Sequence, residues 1–500
     1  MLSKFGVSVA TSLISLLPVF AQQQPRRGEV TLAPYSLVTY DGQSHPAELG
    51  HFWVPENRRK NSGRLIQMAF VRLKSSAQKP AAPIVYLSGG PGVPASGMAR
   101  VPVYYDLFEK LRQVADVILL DQRGSGMSSP NLDDCPTDGK FPVDAFASQH
   151  KFVHALAHAA GNCSWYWRAK GVDVTGYNTE ENADDVGDLC QALGTTKISL
   201  LGHSYGTELA FAVIRRHGES VQRAVLAGVE GPGDHGGLPS VLDLQLKKIA
   251  RLVASDATVG KEFPDLVSLF QHDVQRLEKQ AAAVTITKQT TKKRINLMVG
   301  GVALQFIVEQ MLSNGREVGT LPALLQSLKV GDDSLLQQHV ENIFNDFDSG
   351  ITLMGRTMNC SGGPPPGRRL EAESEARASQ FSDVSGIDVQ PEVCKEALGN
   401  FTLGPEYFAP LYSPVPTLFL SGTLDADTPP VKAERMRWGF PFSTHIVIEN
   451  GFHETLPAVE VQALVVDFFK GQDVTDRHIM FETPSFLSVD DAKHGKGRPQ

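Results

Sequence analysis

The chain has 500 residues, of which 42% are hydrophobic and 20% are charged, a balance typical of a globular protein with a sizeable buried core. Its formal net charge of -8 excludes the strongly basic surface that nucleic-acid backbones require. The one conspicuous basic cluster, Lys288 to Arg294, is short, and we expect it to be a solvated surface stretch. The length predicts either two domains or one large fold that carries an insertion.

The first 21 residues resemble a secretory signal peptide. A short basic start, residues 1–4, precedes a largely apolar stretch, residues 5–20, and residues 19–21 resemble a cleavage site. This apolar stretch is short for a membrane anchor and contains Pro18, and no later stretch is apolar enough to span a bilayer. We therefore expect a secreted or periplasmic protein with no stable membrane span after processing.

The next part of the chain predicts an α/β fold. From about Gly28 to Arg72, apolar and polar residues alternate, which predicts antiparallel strands at a sheet edge. Four short apolar runs then predict buried parallel strands, at residues 84–87, 117–120, 198–201 and 224–227. A helix capped by Thr179 and ended by Gly194 is predicted between the second and third runs. This alternation predicts a mostly parallel, doubly wound sheet with functional groups at the carboxyl ends of its strands.

Residues 233–405 are predicted to be a helical cap inserted into this core. Successive amphipathic helices, with no clear strand between them, are predicted from Leu242 to about Phe347. Strand patterns return at residues 417–420 and 446–448. The α/β core is therefore expected to comprise residues 22–232 and 406–471. Residues 472–500 are expected to be a tail on the surface.

The strongest chemical signal is the segment Gly202-His203-Ser204-Tyr205-Gly206. It follows the predicted strand 198–201 directly and opens a predicted helix. A sharp strand-to-helix turn of this kind exposes the hydroxyl of the central serine, and the glycines two positions away relieve steric crowding. Ser204 is therefore the candidate nucleophile.

A serine hydroxyl needs a base to take its proton and a carboxylate to orient that base. His453 and Asp425 each follow a predicted strand, and the chain order Ser, Asp, His is that of the α/β-hydrolase fold. His445 is disfavoured as the base because it precedes its strand, and we expect it to be a surface histidine. Asp427 is harder to exclude, and loop geometry favours Asp425.

Two backbone amides are needed to stabilise the oxyanion. Tyr205, directly after the candidate nucleophile, is expected to supply one. The glycine-rich loop after the strand 84–87 is expected to supply the other, from Gly90. The sequence has no cluster of His and Cys with zinc spacing, no Walker-type lysine loop and no dinucleotide fingerprint, so we expect neither a metal nor another cofactor.

Cysteine usage fits an oxidising compartment. Four cysteines lie in segments that resemble loops, and the favoured disulfides are Cys135 with Cys163 and Cys360 with Cys394. Other pairings of these four remain open. Cys190 lies on the apolar side of a predicted helix and is expected to be a buried free thiol.

Taken together, the motifs resemble the proline iminopeptidase and tripeptidyl aminopeptidase family of secreted α/β-hydrolase serine peptidases. Four segments carry the resemblance: Gly89 to Gly92, Asp121 to Gly126, Gly202 to Thr207 and Gly422 to Pro430. The resemblance implies removal of residues from a free peptide N-terminus, a helical cap over the site and cysteine pairs like those above. Two positions depart from it, because Ser88 replaces the usual histidine and Glu454 replaces the usual glycine after His453.

An aminopeptidase must also hold a positively charged amine, which calls for a carboxylate partner. Glu230, at the end of the predicted strand 224–227 and at the entrance to the cap, is the candidate, and a solvated loop glutamate is the alternative. The predicted reaction is acyl transfer through a covalent intermediate on a short peptide with a free amino terminus. A carboxylester hydrolase with the same triad and a non-catalytic binding protein of the same fold are the alternatives.

Overall fold

The computed structural model describes residues 26–60, 62–136 and 140–495, and the predicted signal peptide lies outside the described residues. A nine-stranded sheet forms its centre. Its strands, together with a separate two-stranded hairpin formed by β8 and β9, are β1 (Val30–Val38), β2 (Ser44–Pro55), β3 (Leu65–Leu73), β4 (Ile84–Leu87), β5 (Val117–Asp121), β6 (Ile198–His203), β7 (Val221–Ala227), β8 (Ala282–Lys288), β9 (Lys293–Val299), β10 (Thr417–Gly422) and β11 (Ser443–Ile448).

The order of strands across the large sheet is β1-β2-β3-β5-β4-β6-β7-β10-β11. Strands β1, β2 and β3 pair antiparallel, and so do β3 and β5. All pairings from β5 through β4, β6, β7 and β10 to β11 are parallel. The predicted mostly parallel sheet with an antiparallel edge is therefore confirmed.

Helices cover both faces of this sheet. They are α1 (Ala95–Met98), α2 (Pro102–Leu111), α3 (Gln149–Ala169), α4 (Thr179–Ala192), α5 (Tyr205–His217), α6 (Pro239–Ser255), α7 (Leu266–Lys279), α8 (Gly301–Ser313), α9 (Leu321–Lys329), α10 (Ser334–Ser349), α11 (Leu353–Ser361), α12 (Pro366–Ala376), α13 (Pro391–Leu398), α14 (Pro405–Phe408), α15 (Pro430–Arg437), α16 (Val459–Phe469) and α17 (Val489–Lys493). The predicted helix before Gly194 is α4. The expectation that Thr179 caps it was wrong, because the cap is Asn178, whose side chain accepts a hydrogen bond from the Glu181 amide. Among the described residues, no helix is both long and apolar enough to cross a membrane.

The core lies in two layers because successive side chains of a strand point to opposite faces of the sheet. On one face, Ile84 and Val117 pack with α2 and α16. On the other, Val85 and Ile118 pack with α3, α4 and α5, and this layer continues into the segment between β7 and β10. The central strands are buried on both faces, which explains their continuous apolar sequences.

The segment between β7 and β10 carries α6 to α14 and adds no strand to the large sheet. The expectation of helices alone in this segment was wrong, because β8 and β9 form an antiparallel hairpin within it. Val284 and Ile286 of β8 and Leu297 of β9 are buried, so one face of the hairpin belongs to the core. The basic cluster at residues 288–294 spans the turn of this hairpin and is largely exposed, as expected.

Both favoured disulfides are present, with Cα–Cα distances of 5.5 Å for Cys135–Cys163 and 5.2 Å for Cys360–Cys394. The expectation that these cysteines lie in loops was wrong for three of the four, because they lie in α3, α11 and α13. Cys190 is a buried free thiol on α4, and burial raises its pKa to about 11.

The C-terminal segment packs more deeply than a surface tail. Ile479 contributes to the core layer that holds α2 and α16, and Phe486 contributes to the opposite layer. Backbone hydrogen bonds join the Phe481 amide to Glu449, after β11, and the Leu487 amide to Gly319, before α9. The tail therefore links the end of the sheet to the segment inserted between β7 and β10.

Candidate active site

Ser204 lies at the junction of β6 and α5, in a left-handed backbone conformation with φ 55° and ψ -129°. Such a conformation is strained for a residue other than glycine and is characteristic of this type of turn. The two flanking glycines permit it by close packing. A Cβ on Gly206 would lie 1.9 Å from the Leu87 carbonyl oxygen, and one on Gly202 would lie 2.7 Å from the Gly206 carbonyl oxygen. Only glycine fits at either position.

His453 and Asp425 come together at the carboxyl end of the same sheet, on the loops after β11 and β10. The Asp425 Oδ2 atom lies 3.0 Å from His453 Nδ1. The carboxylate is buried and accepts hydrogen bonds of 2.9 Å from the backbone amides of Asp427 and Thr428. These bonds fix the carboxylate, and its other oxygen contacts both the imidazole and the Thr428 hydroxyl. An orienting carboxylate at Nδ1 selects one ring tautomer.

Charge stabilises the protonated form of this imidazole. Burial alone would lower the pKa of His453, but the Asp425 carboxylate opposes burial and raises the pKa to about 10. Burial likewise acts to raise the pKa of the Asp425 carboxyl, but His453 and hydrogen bonds from Thr428 outweigh it and hold the pKa below its usual value. The pair is therefore arranged to favour an imidazolium next to a carboxylate.

Asp427 occupies a different position from Asp425. Its Oδ2 atom lies 3.9 Å from His453 Nε2, on the opposite side of the ring from Asp425. Its side chain is 34% exposed, whereas that of Asp425 is 1% exposed. The structure thus places Asp425 at the nitrogen that an orienting carboxylate contacts.

The glycine-rich loop after β4 lies against the serine. A Cβ on Gly89 would lie 2.7 Å from the Ser204 Cβ atom and 3.4 Å from its hydroxyl oxygen, so Gly89 contacts the serine most closely. Gly90, the predicted amide donor, follows it with φ 111°. Gly89 belongs to the same glycine-rich segment as the predicted donor, but no separate role was predicted for it. Tyr205 is buried at the start of α5, where its hydroxyl lies 3.0 Å from that of Thr179.

Glu230 is buried, so the alternative of a solvated loop glutamate is wrong. Its Oε1 atom lies 3.5 Å from His235 Nδ1, and a second buried carboxylate, that of Glu208, lies 3.6 Å from the same nitrogen. Glu208 accepts a short hydrogen bond from the Tyr407 hydroxyl, and its other oxygen has no hydrogen-bond partner. His235 Nε2 lies 3.3 Å from the Gly362 carbonyl oxygen.

The charges of His235, Glu208 and Glu230 affect one another's pKa values. Burial would lower the pKa of His235, but Glu208 and Glu230 raise it to about 9. Burial raises the pKa of Glu208 to about 7, whereas His235 holds the pKa of Glu230 below its usual value despite burial. Each of these three residues offers one atom that could bind a metal ion, and in the described part of the chain these atoms lie within 4.8 Å of one another. A protonated His235 satisfies the same charge requirement.

His445 does not fit its expected role as a surface histidine. It lies within β11, its side chain is 3% exposed, and its ring nitrogens contact Glu434 at 2.5 Å and Ser421 at 3.1 Å. The strand begins at Ser443, three residues before the apolar run from which it was predicted, so His445 lies in the sheet and not in the preceding loop.

A cavity of about 600 Å³ borders His453. Its walls come from α1 and α2, from the loop between α8 and α9, from the histidine loop and from the C-terminal segment. The lining includes Tyr104, Asp427, His453 and Glu454. The His453 amide donates a 3.2 Å hydrogen bond to the Ser313 carbonyl, so the inserted segment contacts the histidine loop directly. Glu454 accepts a hydrogen bond from the Tyr104 hydroxyl. No sequence motif identified this wall.

The sheet order, the strand-to-helix turn at Ser204 and the Ser, Asp, His order define an α/β-hydrolase fold. The family model described as the alpha/beta hydrolase fold matches residues 82–297. The chain is similar to the tripeptidyl aminopeptidase of Streptomyces coelicolor, with 27% identity over 200 residues that cover 37% of this chain and 36% of the relative.

It is also similar to the serine protease Hip1 of Mycobacterium bovis, with 26% identity over 193 residues that cover 37% of this chain and 36% of the relative. The chain thus spans about a third of the length of these curated relatives. Among solved structures, a thermophilic esterase from Thermogutta terrifontis aligns with 88% of this chain and 98% of its own, at 15% identity and a TM-score of 0.34.

Proposed function

We propose that this protein is a serine hydrolase that cleaves residues from the free N-terminus of short peptides through an acyl-enzyme. The observation that carries the proposal is the contact of 3.0 Å between the buried Asp425 carboxylate and His453 Nδ1, at the sheet edge that also bears Ser204. In the proposed roles, Ser204 is the nucleophile, His453 is the general base and Asp425 orients the base.

In the proposed reaction, the Ser204 oxygen attacks the scissile carbonyl carbon while its proton passes to His453 Nε2. The negative charge that develops on the carbonyl oxygen is stabilised by the amides of Gly90 and Tyr205. Collapse of this intermediate breaks the bond to the leaving nitrogen, which takes the proton from His453. Water then attacks the acyl-enzyme by the same proton transfers and regenerates the serine hydroxyl.

Two observations support a peptide with a free amine as the substrate. The curated relatives include a tripeptidyl aminopeptidase and a serine protease, each matched over about a third of its length. In addition, Glu230 provides a buried carboxylate near His453, whose charge acts on it. An ammonium group entering a partly dry site is stabilised by such a carboxylate. We propose that residues 233–405 form the cap that encloses this end of the site.

The proposal includes export from the cytoplasm. Two disulfides are typical of secreted and periplasmic proteins, and residues 1–21 resemble a signal peptide.

The test compares three substrates: an alanine or proline arylamide with a free amine, the same arylamide with an N-acetyl block, and a short-chain aryl ester. Rapid turnover of the free-amine arylamide, its loss on N-acetylation and its loss in Ser204→Ala are expected. Ser36→Ala, at an exposed serine of β1, is the matched control and should retain activity.

Turnover of the ester without any turnover of either arylamide would assign the protein to the carboxylester hydrolases. A fluorophosphonate probe separates both enzymes from a binding protein, because it labels an activated serine irrespective of the substrate. A folded protein whose Ser204 does not react with the probe would contradict the catalytic roles altogether.

A further inference from the structure

Asp427 is a carboxylate that faces the cavity beside His453. Its Oδ2 atom lies 3.9 Å from His453 Nε2, the nitrogen that exchanges the proton in the proposed reaction. Its backbone amide donates to the Asp425 carboxylate, which fixes the residue next to the triad. The side chain is one-third exposed and forms part of the cavity wall, so a bound substrate can reach it.

The negative charge of Asp427 is not balanced by a fixed cation. Among the described residues, the ion pair recorded for its carboxylate is the one with His453, which is neutral when it acts as a base. The nearby ammonium of Lys432 is engaged by the carbonyl oxygens of Asp234 and Gly236, at 2.6 and 2.8 Å. Burial and the charge of Glu230 raise the pKa of Asp427. A cationic ligand in the cavity would relieve this unfavourable charge.

Glu230 differs from Asp427 in this respect. It is almost fully buried, and His235 lies 3.5 Å from its carboxylate as a ready counterion. Glu230 therefore adds negative charge to the site without lining the cavity, whereas Asp427 presents its carboxylate to the cavity.

The distance from His453 limits how much of the substrate can lie between the scissile bond and its ammonium group. The base must come within about 3 Å of the serine oxygen and of the leaving nitrogen. Bond lengths place the α-nitrogen of an amino acid about 2.5 Å from its own carbonyl carbon. A carboxylate 3.9 Å from Nε2 is thus within reach of the ammonium of a single residue. Each further residue would move the ammonium about 3.3 Å away, or about 7 Å for a released tripeptide.

We propose that the Asp427 carboxylate binds the α-ammonium of the substrate's first residue and that the enzyme accordingly releases one residue at a time. This inference rests on the proposed aminopeptidase activity. It assigns Asp427 as the residue that determines specificity, and it predicts that a single-residue acyl group is preferred over a three-residue one.

The experiment compares wild type, Asp427→Asn and Asp106→Asn on three substrates: alanine arylamide, trialanine arylamide and a neutral aryl acetate. Asp106 is an exposed carboxylate of α2 that does not line this cavity, so its amide variant removes an equal charge outside the site. Wild type should cleave alanine arylamide with a kcat/KM at least tenfold above that for trialanine arylamide. Asp427→Asn should raise the KM for alanine arylamide at least tenfold.

The same variant should not lower the rate of aryl acetate hydrolysis or of fluorophosphonate labelling. Neither involves an ammonium group, and loss of the Asp427 charge lowers the pKa of His453 and so increases the unprotonated fraction of the base. Asp106→Asn should resemble wild type throughout. An equal loss on arylamide and acetate would overturn the inference, because it would show that Asp427 acts through His453. Preference for the trialanine arylamide would overturn it while leaving the aminopeptidase proposal intact. Wild type that cleaves only the acetate would overturn both proposals.

Discussion

His453 lies between two carboxylates that differ in burial, and the difference defines what each can do. Asp425 is sealed from solvent and contacts Nδ1, whereas Asp427 borders the cavity on the Nε2 side. Coulombic attraction to both raises the pKa of His453 to about 10 against the opposing effect of burial. A base works only when it is unprotonated, so this pKa controls the pH range of the proposed activity.

We therefore expect kcat/KM for the neutral aryl acetate, which carries no titrating amine, to rise with pH well into the alkaline range. Asp425→Asn should move this rise to lower pH, because the largest attraction for the proton is lost, and should lower kcat by about 10³- to 10⁴-fold because the tautomer is no longer fixed. The measurement is a kcat/KM profile for both proteins. An unchanged profile midpoint in the variant would contradict the assigned contact.

The same pKa makes a prediction for stability. The pKa of His453 in the folded protein, about 10, exceeds its ordinary value, so the folded state binds the proton more tightly than the unfolded chain does. The resulting stabilisation is fully present below the ordinary pKa of about 6.5 and is lost as pH rises through the folded value. As pH rises through this window, the free energy of unfolding of wild type, measured with denaturant, should fall relative to that of His453→Gln. A constant difference between the two proteins would exclude the shift.

Sequence reasoning proposed Ser204, Asp425 and His453 because each has a local signal, a loop at the end of a strand. Other residues of the site have no such signal. Tyr104 and Glu454 are 350 positions apart, and only the fold brings their hydrogen bond into the cavity wall. Asp427 is only two residues from Asp425, yet its side chain is exposed to the cavity and that of Asp425 is not. This difference depends on the packing around the loop, which the sequence does not show.

At the scale of elements, the turn between β6 and α5 depends on close contact with the end of β4. A Cβ at Gly206 would lie 1.9 Å from the Leu87 carbonyl oxygen, an atom of the central strand that cannot give way freely. Gly206→Ala should therefore lower the free energy of unfolding by about 3 kcal/mol and abolish fluorophosphonate labelling.

The matched control for that substitution is Gly218→Ala. Gly218 follows the same helix at its other end, has an ordinary φ of -58°, and a Cβ there would meet only Ile214 at 4.0 Å. Its replacement should leave stability within about 0.5 kcal/mol and labelling unchanged. Equal effects of the two substitutions, measured by chemical denaturation, would rule out steric pressure at Gly206 as the cause.

The elements differed in how well sequence predicts them. Strands β4, β5 and β6 are buried on both faces, so their continuous apolar runs were recognisable. The hairpin of β8 and β9 was missed because it buries one face only, and its alternating residues lie between strongly helical segments. The alternation of buried and exposed residues in these two short strands is weak, and it is difficult to distinguish from the adjacent helical patterns when the surface that the hairpin covers is not known.

At the scale of the whole molecule, the C-terminal segment joins parts that are distant in sequence. It pairs with Glu449, a few residues before His453, and then with Gly319 in the segment between β7 and β10. The loop before Gly319 contacts the histidine loop, since a Cβ on Gly315 would lie 2.7 Å from the Phe452 ring. The expectation that this segment is a surface tail was wrong. Its apolar residues are sparse in the sequence, but Ile479 and Phe486 are buried in opposite core layers.

Phe486 provides the means to test this connection. Its side chain is 6% exposed within the core layer shared with the inserted segment, and the adjacent Leu487 amide bonds to Gly319. Phe486→Ala removes that packing and should lower the free energy of unfolding by about 3 kcal/mol, measured by denaturant titration. Phe442→Ala, at a phenylalanine that is 66% exposed, controls for loss of the ring itself and should cost less than about 0.5 kcal/mol. If both variants unfolded at the same denaturant concentration, the C-terminal segment would not belong to the cooperative fold. Its contacts with the histidine loop and the inserted segment would then form independently of that fold.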